Sequence, residues 1–215
     1  MLELGLKTLI GYLLGSVVGA LLVGQFRGID IRTMGSGNAG GTNALRTQGL
    51  VFAAATVVID AGKGWLAAGW LPGLALPGVA TDPAIARGWL AASCAASAVA
   101  GHVWPLWHDF RGGKGGATLA GALLALAPAL LAVAVATWLA FALLFGFVAL
   151  ATVAAAAAVP VAASVAPVSG AMPAFGLAMA ALVAWAHRGN FARMRAGTEP
   201  RANRIWLFRS RGAPR

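Results

Sequence analysis

Long apolar runs alternate with short polar segments along this chain. The apolar runs cover roughly residues 4–23, 50–71, 88–103 and 119–186. The last one holds 68 consecutive residues without a charged side chain. A single core helix cannot use such a run, whereas a stack of membrane spans of about 20 residues each can. The pattern predicts an all-α integral membrane protein.

Three polar, basic segments predict how the chain crosses the membrane. They cover residues 25–48, 102–118 and 187–215, and the positive-inside rule places all three in the cytoplasm. One span precedes the first segment, so the N-terminus is expected outside and the C-terminus in the cytoplasm. An even number of spans must separate the second segment from the tail, and four of about 17 residues fit better than two. We therefore expect one domain, 1–215, with about seven transmembrane helices.

Composition narrows the class further. The 215 residues are 60% hydrophobic and 10% charged, with a mean hydropathy of +0.80, which excludes a disordered chain. A fibrous chain is excluded because the sequence has no Gly-X-Y period. The net charge of +10, from 16 Lys+Arg against 6 Asp+Glu, would suggest nucleic acid in a soluble protein. Here the basic residues lie between apolar runs and in the tail, so no nucleic-acid partner is expected. Few acids and the single Cys94 make a metal site unexpected.

Two patterns inside the apolar runs predict helix contacts. Gly11, Gly15 and Gly19 recur every fourth residue, which lets another helix approach closely. Asp60 and Lys63 lie three residues apart and share a helical face. Because charges in a membrane are costly and are usually paired or functional, we interpret them as a salt bridge facing the bundle. A direct role in a site is the alternative.

The first polar segment reads GSGNAGGTNALR over residues 35–46. Its glycines formally match a dinucleotide fingerprint, but that motif requires a preceding strand, and here a membrane span precedes it. Freed backbone N–H groups can still form an anion-binding nest, and Arg46 can grip phosphate. A flexible connector is the alternative. Four polar side chains favour anion binding over it: Ser36, Asn38, Thr42 and Asn43.

The second polar segment reads GHVWPLWHDFRGGKGGAT over residues 101–118. Lys114 stands between two glycine pairs, where the start of an apolar helix would favour an anion, although no Walker A motif is present. Arg111 adds a second cation. We interpret the aromatic residues as interfacial; they are Trp104, Trp107 and Phe110. The roles of His102 and His108 stay open, with an ordinary interfacial position favoured for His108.

The third segment begins HRGNFARMRAGTE over residues 187–199. In a helix His187, Asn190 and Arg193 share a face. Anchoring to anionic lipid explains the arginines but not His187, Asn190 or Glu199. Together the three segments predict a cytoplasmic-side pocket for a ligand with one or more phosphates. The candidate cations are Arg46, Arg111, Lys114, Arg188 and Arg193.

The three segments resemble the signature motifs of the bacterial acyl-phosphate:glycerol-3-phosphate acyltransferases, the PlsY family. The family patterns S-G-N-P-G-A-T-N-x-x-R, G-H-x-F-P…F-[KR]-G-G-K-G-x-A-T and H-x-x-N-I-x-R…G-x-E correspond to residues 36–46, 101–118 and 187–199. The D-x-x-K-G of the second apolar run is also similar. Some positions depart, among them Ala39 in place of a proline, Gly41 in place of an alanine and Trp104 in place of a phenylalanine. Ala39 makes the loop less rigid, which bears on substrate affinity.

The resemblance implies a multi-pass enzyme of the bacterial cytoplasmic (inner) membrane, with its site on the cytoplasmic side and no cofactor. It would transfer a fatty acyl group from long-chain acyl phosphate to the 1-hydroxyl of glycerol 3-phosphate. The products would be lysophosphatidic acid and inorganic phosphate, in the first step of phospholipid synthesis. The implied partners are both substrates and membrane lipid, and the family also allows hand-over from a soluble acyltransferase that forms acyl phosphate.

Residue roles follow from the resemblance by motif position. His187 and Asn190 would orient substrate and help catalysis. Ten residues would bind phosphate or the rest of the substrate: Ser36, Gly37, Asn38, Thr42, Asn43, Arg46, Arg111, Lys114, Arg193 and Glu199.

Two assignments of the proton acceptor stay open. Acyl phosphate has a good leaving group, so no covalent nucleophile is needed. The H-x-x-x-x-D pair of soluble glycerol-phosphate acyltransferases is absent, because no histidine has an aspartate five residues on. His187 is one candidate base, with an unperturbed pKa near 6.5. A substrate phosphate is the other and the favoured one, because the sequence offers so few bases.

Two other classes of membrane protein fit less well. A transporter of phosphorylated solutes would also need cations at a membrane face, but it more often shows internal repeats and charges near mid-bilayer. The sequence shows no repeat, and only Asp60 and Lys63 lie deep in an apolar run. A CDP-alcohol transferase needs clustered aspartates for metal, which six scattered acids do not supply.

Overall fold

The structure is a computed structural model that describes residues 1–168, 170–202 and 206–208. These residues contain ten α-helices and no β-strand, which confirms the all-α prediction. The helices are α1 Leu2–Gly15, α2 Gly19–Gln25, α3 Gly41–Gln48, α4 Leu50–Trp65, α5 Arg87–Val103, α6 Gly116–Leu126, α7 Pro128–Phe145, α8 Val148–Ala163, α9 Ala171–Ala186 and α10 Arg188–Arg195. A π-helical turn, Leu66–Trp70, and a 3₁₀ turn, Leu71–Gly73, extend α4.

The first apolar run forms two helices rather than one continuous helix. The axes of α1 and α2 differ by 51° across the break. Two side chains of α4 satisfy the backbone there. Lys63 Nζ donates to the carbonyl oxygens of Gly15 at 2.8 Å and Val17 at 2.6 Å, and Asp60 Oδ1 accepts from the N–H of Gly19 at 3.0 Å. A broken helix survives in an apolar setting only when such partners replace its own hydrogen bonds.

The glycine stripe of the first run brings α1 against α5. A Cβ added at Gly15 would collide with the carbonyl oxygen of Ala98, and one at Gly11 would lie 2.8 Å from that of Cys94. The predicted close approach of another helix is therefore confirmed. Because Gly11 and Gly15 meet successive turns of α5 in the same order, α1 and α5 run in the same direction. Gly19 instead packs against α4.

The uncharged run contains four helices, α6 to α9, and the main apolar core packs α5, α6, α7, α8 and α9 together. Among the described residues, Leu50–Gly73 and α7 are long and apolar enough to cross a membrane, and the bent pair α1–α2 adds a third crossing if it counts as one span. The 11 residues of α6 extend about 16 Å, against a hydrocarbon core of about 30 Å. The seven-span count and the outside N-terminus stay predictions.

Ion pairs tie the first turns of α1 to the start of α5. Glu3 accepts from both terminal nitrogens of Arg87 at 2.8 Å and from Lys7 Nζ at 2.9 Å. Lys7 also donates to the carbonyl oxygen of Pro72 at 2.7 Å. Both Glu3 and Lys7 are buried. This cluster lies at the end of α1 away from the break.

Candidate active site

The three polar segments meet around one cavity of about 280 Å³. Its lining comprises Ser36, Gly37, Asn38, Lys114, Ala186, Arg188, Gly189, Asn190 and Arg193. A second cavity of about 210 Å³ extends toward Trp104, Phe110, Arg111 and Trp185. Both cavities are lined by Asn38, Lys114, Ala186 and Arg188. The arrangement is therefore two adjoining cavities with cations at the boundary between them.

A buried asparagine shapes the first segment. The side chain of Asn43, 1% exposed, accepts from the N–H of Ser36 at 3.0 Å and donates to the carbonyl oxygens of Met34 at 2.9 Å and Ile31 at 3.3 Å. The loop thus wraps around this amide and presents residues 36–38 to the cavity. Asn43 acts on the loop backbone.

An ion pair that the sequence analysis did not single out joins the first segment to the second. Arg32 binds the carboxylate of Asp30 through Nε at 3.0 Å and Nη2 at 2.8 Å, and its Nη1 donates to the carbonyl oxygen of His108 at 3.0 Å. The hydrogen bonds from the Arg32 side chain to the Asp30 carboxylate hold the pKa of Asp30 below its ordinary value. The D-x-R spacing is the only signal in the sequence, and it does not reveal the distant carbonyl.

The second segment folds back onto the end of α5 before it delivers Lys114. The N–H of Gly113 donates to the carbonyl oxygen of His102 at 3.0 Å, and that of Gly112 to Val103 at 3.2 Å. Burial, followed by the positive charge of Arg193, lowers the pKa of Lys114 to about 8. Lys114 is therefore mostly charged at neutral pH.

A chain of hydrogen bonds links the second segment to the third. Lys114 Nζ donates to Oδ1 of Asn190, whose Nδ2 donates to Oε1 of Glu199 at 2.6 Å. The other oxygen of Glu199 accepts from Arg193 Nε at 2.7 Å. The amide of Asn190 is thereby oriented with its oxygen toward Lys114, and one of its two N–H groups stays available to a ligand.

His187 lies between α9 and α10, outside the lining of either cavity. Its Nδ1 lies 2.7 Å from the carbonyl oxygen of Val183, so Nδ1 carries the proton and Nε2 is the acceptor. Burial lowers the pKa of His187 to about 4, against the opposing effect of that backbone hydrogen bond. The ring is therefore neutral at pH 7.

Arg188 follows directly and lines both cavities. Its guanidinium lies 3.8 Å from the centre of the Trp185 ring, and Nη1 donates to the carbonyl oxygen of Trp185 at 3.1 Å. The motif match gives Arg188 no role, but the charge pattern had already made it a candidate phosphate-binding cation, and its place on both cavities fits that prediction. Within the described ranges, no three His, Cys, Asp or Glu side chains come together as a metal ion would need.

The family model for Glycerol-3-phosphate acyltransferase matches residues 6–197. The chain belongs to this family. A glycerol-3-phosphate acyltransferase of Rhodospirillum rubrum is 43% identical over 202 residues, which cover 93% of this chain and 91% of that protein. One of Methylorubrum extorquens is 41% identical over 193 residues, 89% of each chain.

Solved structures agree with this glycerol-3-phosphate acyltransferase assignment. The glycerol 3-phosphate form of PlsY, an integral membrane glycerol 3-phosphate acyltransferase, superposes with a TM-score of 0.80 at 28% identity, over 92% of this chain and 94% of that one. Its lysophosphatidic acid form gives 0.78 at 27% identity over the same shares. The resemblance to the PlsY family is confirmed.

The structure brings most of the family's motif residues together in this acyltransferase. Ser36, Gly37, Asn38, Lys114, Asn190 and Arg193 line the first cavity and Arg111 the second. The carboxylate of Glu199 accepts hydrogen bonds from two of these residues, Asn190 and Arg193. Five of the predicted site residues line neither cavity: Thr42, Asn43, Arg46, His187 and Glu199. Of these, Arg46 is close enough for its charge to lower the pKa of Lys114.

Proposed function

We propose that this chain transfers a fatty acyl group from acyl phosphate to the 1-hydroxyl of glycerol 3-phosphate. The observation that carries the proposal is the pair of adjoining cavities with Lys114 and Arg188 lining both. Donor and acceptor each carry a phosphate, so two anions must lie close together for acyl transfer. Cations at the boundary can neutralise both and hold the reacting atoms side by side.

The second cavity suits the acyl phosphate. Trp104 and Trp185 lie on its wall with ring centres 5.2 Å apart, and Phe110 is exposed beside them. Aromatic residues of this kind favour the boundary between membrane and water, where a long acyl chain can stay in lipid while its phosphate reaches Arg111. The first cavity, with Ser36 and Asn38, then receives glycerol 3-phosphate.

The reaction needs one bond made and one broken. The 1-hydroxyl oxygen bonds to the acyl carbonyl carbon, the bond from that carbon to the phosphate oxygen breaks, and inorganic phosphate leaves. Negative charge develops on the carbonyl oxygen and on the departing phosphate. The available N–H of Asn190 and the backbone N–H groups of the glycine loops can stabilise the former, and Lys114 the latter.

The hydroxyl proton goes to a substrate phosphate in the version we favour. His187 has an unprotonated nitrogen, but burial holds its pKa at about 4 and its side chain lines neither cavity. A phosphate monoester has a second pKa of about 6, closer to neutral pH, which favours proton acceptance. His187 as general base remains the alternative, tested below.

The membrane arrangement belongs to the same proposal. We infer a single domain of about seven spans in the bacterial inner membrane, with the N-terminus outside and the cavities on the cytoplasmic side. The basic residues around the cavities support this orientation. A cytoplasmic opening would let water-soluble glycerol 3-phosphate enter and would allow a soluble acyltransferase to hand over acyl phosphate.

One observation favours a transporter as the second candidate. Discontinuous helices such as α1–α2 are typical of transporter sites, where freed carbonyls coordinate ions. In this chain Lys63 already occupies the carbonyls of Gly15 and Val17. Family membership favours the enzyme, and so does the α1–α2 break, because Lys63 already binds the carbonyls that an ion would need there.

The test is to reconstitute the purified chain in lipid vesicles with glycerol 3-phosphate and palmitoyl phosphate. The proposal expects lysophosphatidic acid and inorganic phosphate in equal amounts. Accumulation of glycerol 3-phosphate inside the vesicles without lysophosphatidic acid would instead establish transport.

A further inference from the structure

A buried cluster of three titratable side chains lies outside both cavities. Asp60 and Lys63 of α4 and His102 of α5 are 1%, 4% and 3% exposed. Lys63 Nζ lies 3.0 Å from Asp60 Oδ1 and 2.9 Å from His102 Nδ1. None of the three lines either of these two cavities, so a place in the candidate site does not explain them.

Short contacts join all three side chains of this cluster. Nδ1 of His102 also lies 3.3 Å from Asp60 Oδ1, so this ring nitrogen faces both members of the ion pair. Asp60 and Lys63 form the ion pair, and His102 lies against both of them. The same two charges hold the α1–α2 break through Gly15, Val17 and Gly19.

The far edge of the His102 ring supports the second polar segment. A Cβ added at Gly113 would collide with Nε2 of His102 and would lie 3.0 Å from the carbonyl oxygen of Ala39. The Gly113 backbone is thus enclosed between α5 and the first polar segment, and only glycine fits there. Lys114 is the next residue, and Asn38 precedes Ala39. The contact therefore sets the separation of two cavity-lining residues.

The end of α1 is tied to the same region. Tyr12 Oη donates to the carbonyl oxygen of Trp104 at 2.7 Å, and Ser16 Oγ accepts from the N–H of Leu106 at 3.2 Å. The helix break, the buried cluster and the second polar segment thus form one continuous set of contacts.

We propose that Asp60, Lys63 and His102 act as a positioning unit that places Lys114 against the first polar segment for phosphate binding. The unit acts through the His102 ring and Gly113 and touches no substrate. This inference rests on the proposed function, since its kinetic readout is the KM for glycerol 3-phosphate.

The first experiment separates the ring contact from the ion pair. His102→Asn can keep a polar group near the position of Nδ1, against Asp60 and Lys63, but lacks the ring edge that meets Gly113. We expect its KM for glycerol 3-phosphate to rise about 10- to 100-fold, as for misplacement near 1 Å, with kcat changed far less. A folded His102→Asn protein with an unchanged KM overturns the proposal.

A matched pair of lysine variants controls for general loss of stability. Lys63→Met and Lys7→Met each break a buried ion pair and remove a donor to backbone carbonyls, at opposite ends of α1. Both should lower the melting temperature, but only Lys63→Met should raise KM. An equal rise in Lys7→Met means that any loss of packing affects the site, and the positioning role is then wrong.

A double variant decides the matter if Lys63→Met does not fold. Gly113→Ala should raise KM because its Cβ meets the His102 ring, and His102→Asn removes the atom that it meets. The double variant should bind glycerol 3-phosphate better than the product of the two single effects predicts. Effects that simply multiply contradict direct contact.

Calorimetric binding of glycerol 3-phosphate keeps this test separate from the proposed reaction. Wild-type protein that binds the ligand without transferring an acyl group refutes the reaction, while the Kd values of the variants still test the positioning unit. Wild-type activity together with unchanged Kd and KM values in all variants refutes the positioning unit alone.

Discussion

At the scale of single residues, Lys114 is the side chain that connects the two cavities and the third polar segment. It lines both cavities, donates to Asn190 and is surrounded by further positive charge. The two glycine pairs in the sequence identified it as a candidate phosphate ligand. Its contact with Asn190, 76 positions away, was not predicted, because the charge pattern placed the two segments on one membrane face without pairing individual residues.

The lowered pKa of Lys114 predicts an alkaline limit on activity. The side chain is charged below pH 8 and neutral above it, so kcat/KM for glycerol 3-phosphate should fall as pH rises through about 8. Lys114→Arg keeps its positive charge over this pH range, so kcat/KM should no longer fall near pH 8. A pH–rate profile of wild type and Lys114→Arg measures this fall. If kcat/KM falls at the same pH in the arginine variant, a group other than Lys114 causes the fall.

Truncation of the same residue tests its role in binding. Lys114→Ala should weaken binding of acyl phosphate or glycerol 3-phosphate and raise the corresponding KM, while the helices stay folded by circular dichroism. Normal kinetics in that variant would refute the phosphate-binding role.

His187→Asn distinguishes the two candidate proton acceptors. If a substrate phosphate takes the proton, kcat/KM should fall below about pH 6 in both wild type and variant, following phosphate ionisation. Because the pKa of His187 is about 4, a histidine base would leave wild-type activity level down to lower pH. A loss of about 10²-fold or more in the variant, typical for removal of a general base, would rule out substrate assistance.

At the scale of elements, the sequence predicted contacts better than helix boundaries. The glycine stripe predicted the close packing of α1, and the spacing of Asp60 and Lys63 predicted their salt bridge, which is confirmed at 3.0 Å. The break between α1 and α2 was not expected, because residues 4–23 form an uninterrupted apolar run apart from Lys7. The groups that stabilise it come from α4, more than 40 positions along the chain.

The packing of α1 on α5 predicts opposite effects of two similar substitutions. Gly15→Ala should destabilise the fold by about 1–3 kcal/mol, the usual cost of overpacking, because its Cβ collides with the Ala98 carbonyl. Gly5→Ala in the same helix meets nothing within 4 Å and should be neutral or stabilising by up to about 1 kcal/mol. Thermal unfolding in detergent measures both, and equal effects would contradict the packing.

The hydrogen bonds from two α10 side chains to Glu199 give a further prediction. Glu199→Gln replaces a carboxylate that accepts from both Asn190 and Arg193 with an amide that can accept through only one atom. Asn190 and Arg193 should lose their fixed orientation, and kcat/KM should fall about tenfold or more, in the range seen for residues that orient binding groups. Wild-type kinetics for Glu199→Gln would show that Glu199 does not orient Asn190 and Arg193 for the reaction.

At the scale of the whole molecule, three segments that are far apart in sequence form one site. The charge pattern predicted that they share a membrane face, and the structure brings them around common cavities. The number of spans was harder to predict from residues 119–186, because an uncharged run marks no boundaries. Pro128 lies at the first position of α7, where proline is favoured in a helix.

The central claim is that acyl phosphate is the donor, and a side-by-side donor assay tests it most directly. Purified protein in lipid would receive glycerol 3-phosphate with either palmitoyl phosphate or palmitoyl-CoA, and lysophosphatidic acid would be measured. The site, with cations for two phosphates and no H-x-x-x-x-D pair, predicts product from palmitoyl phosphate alone. Product from the thioester alone would contradict the account and keep only the acyltransferase.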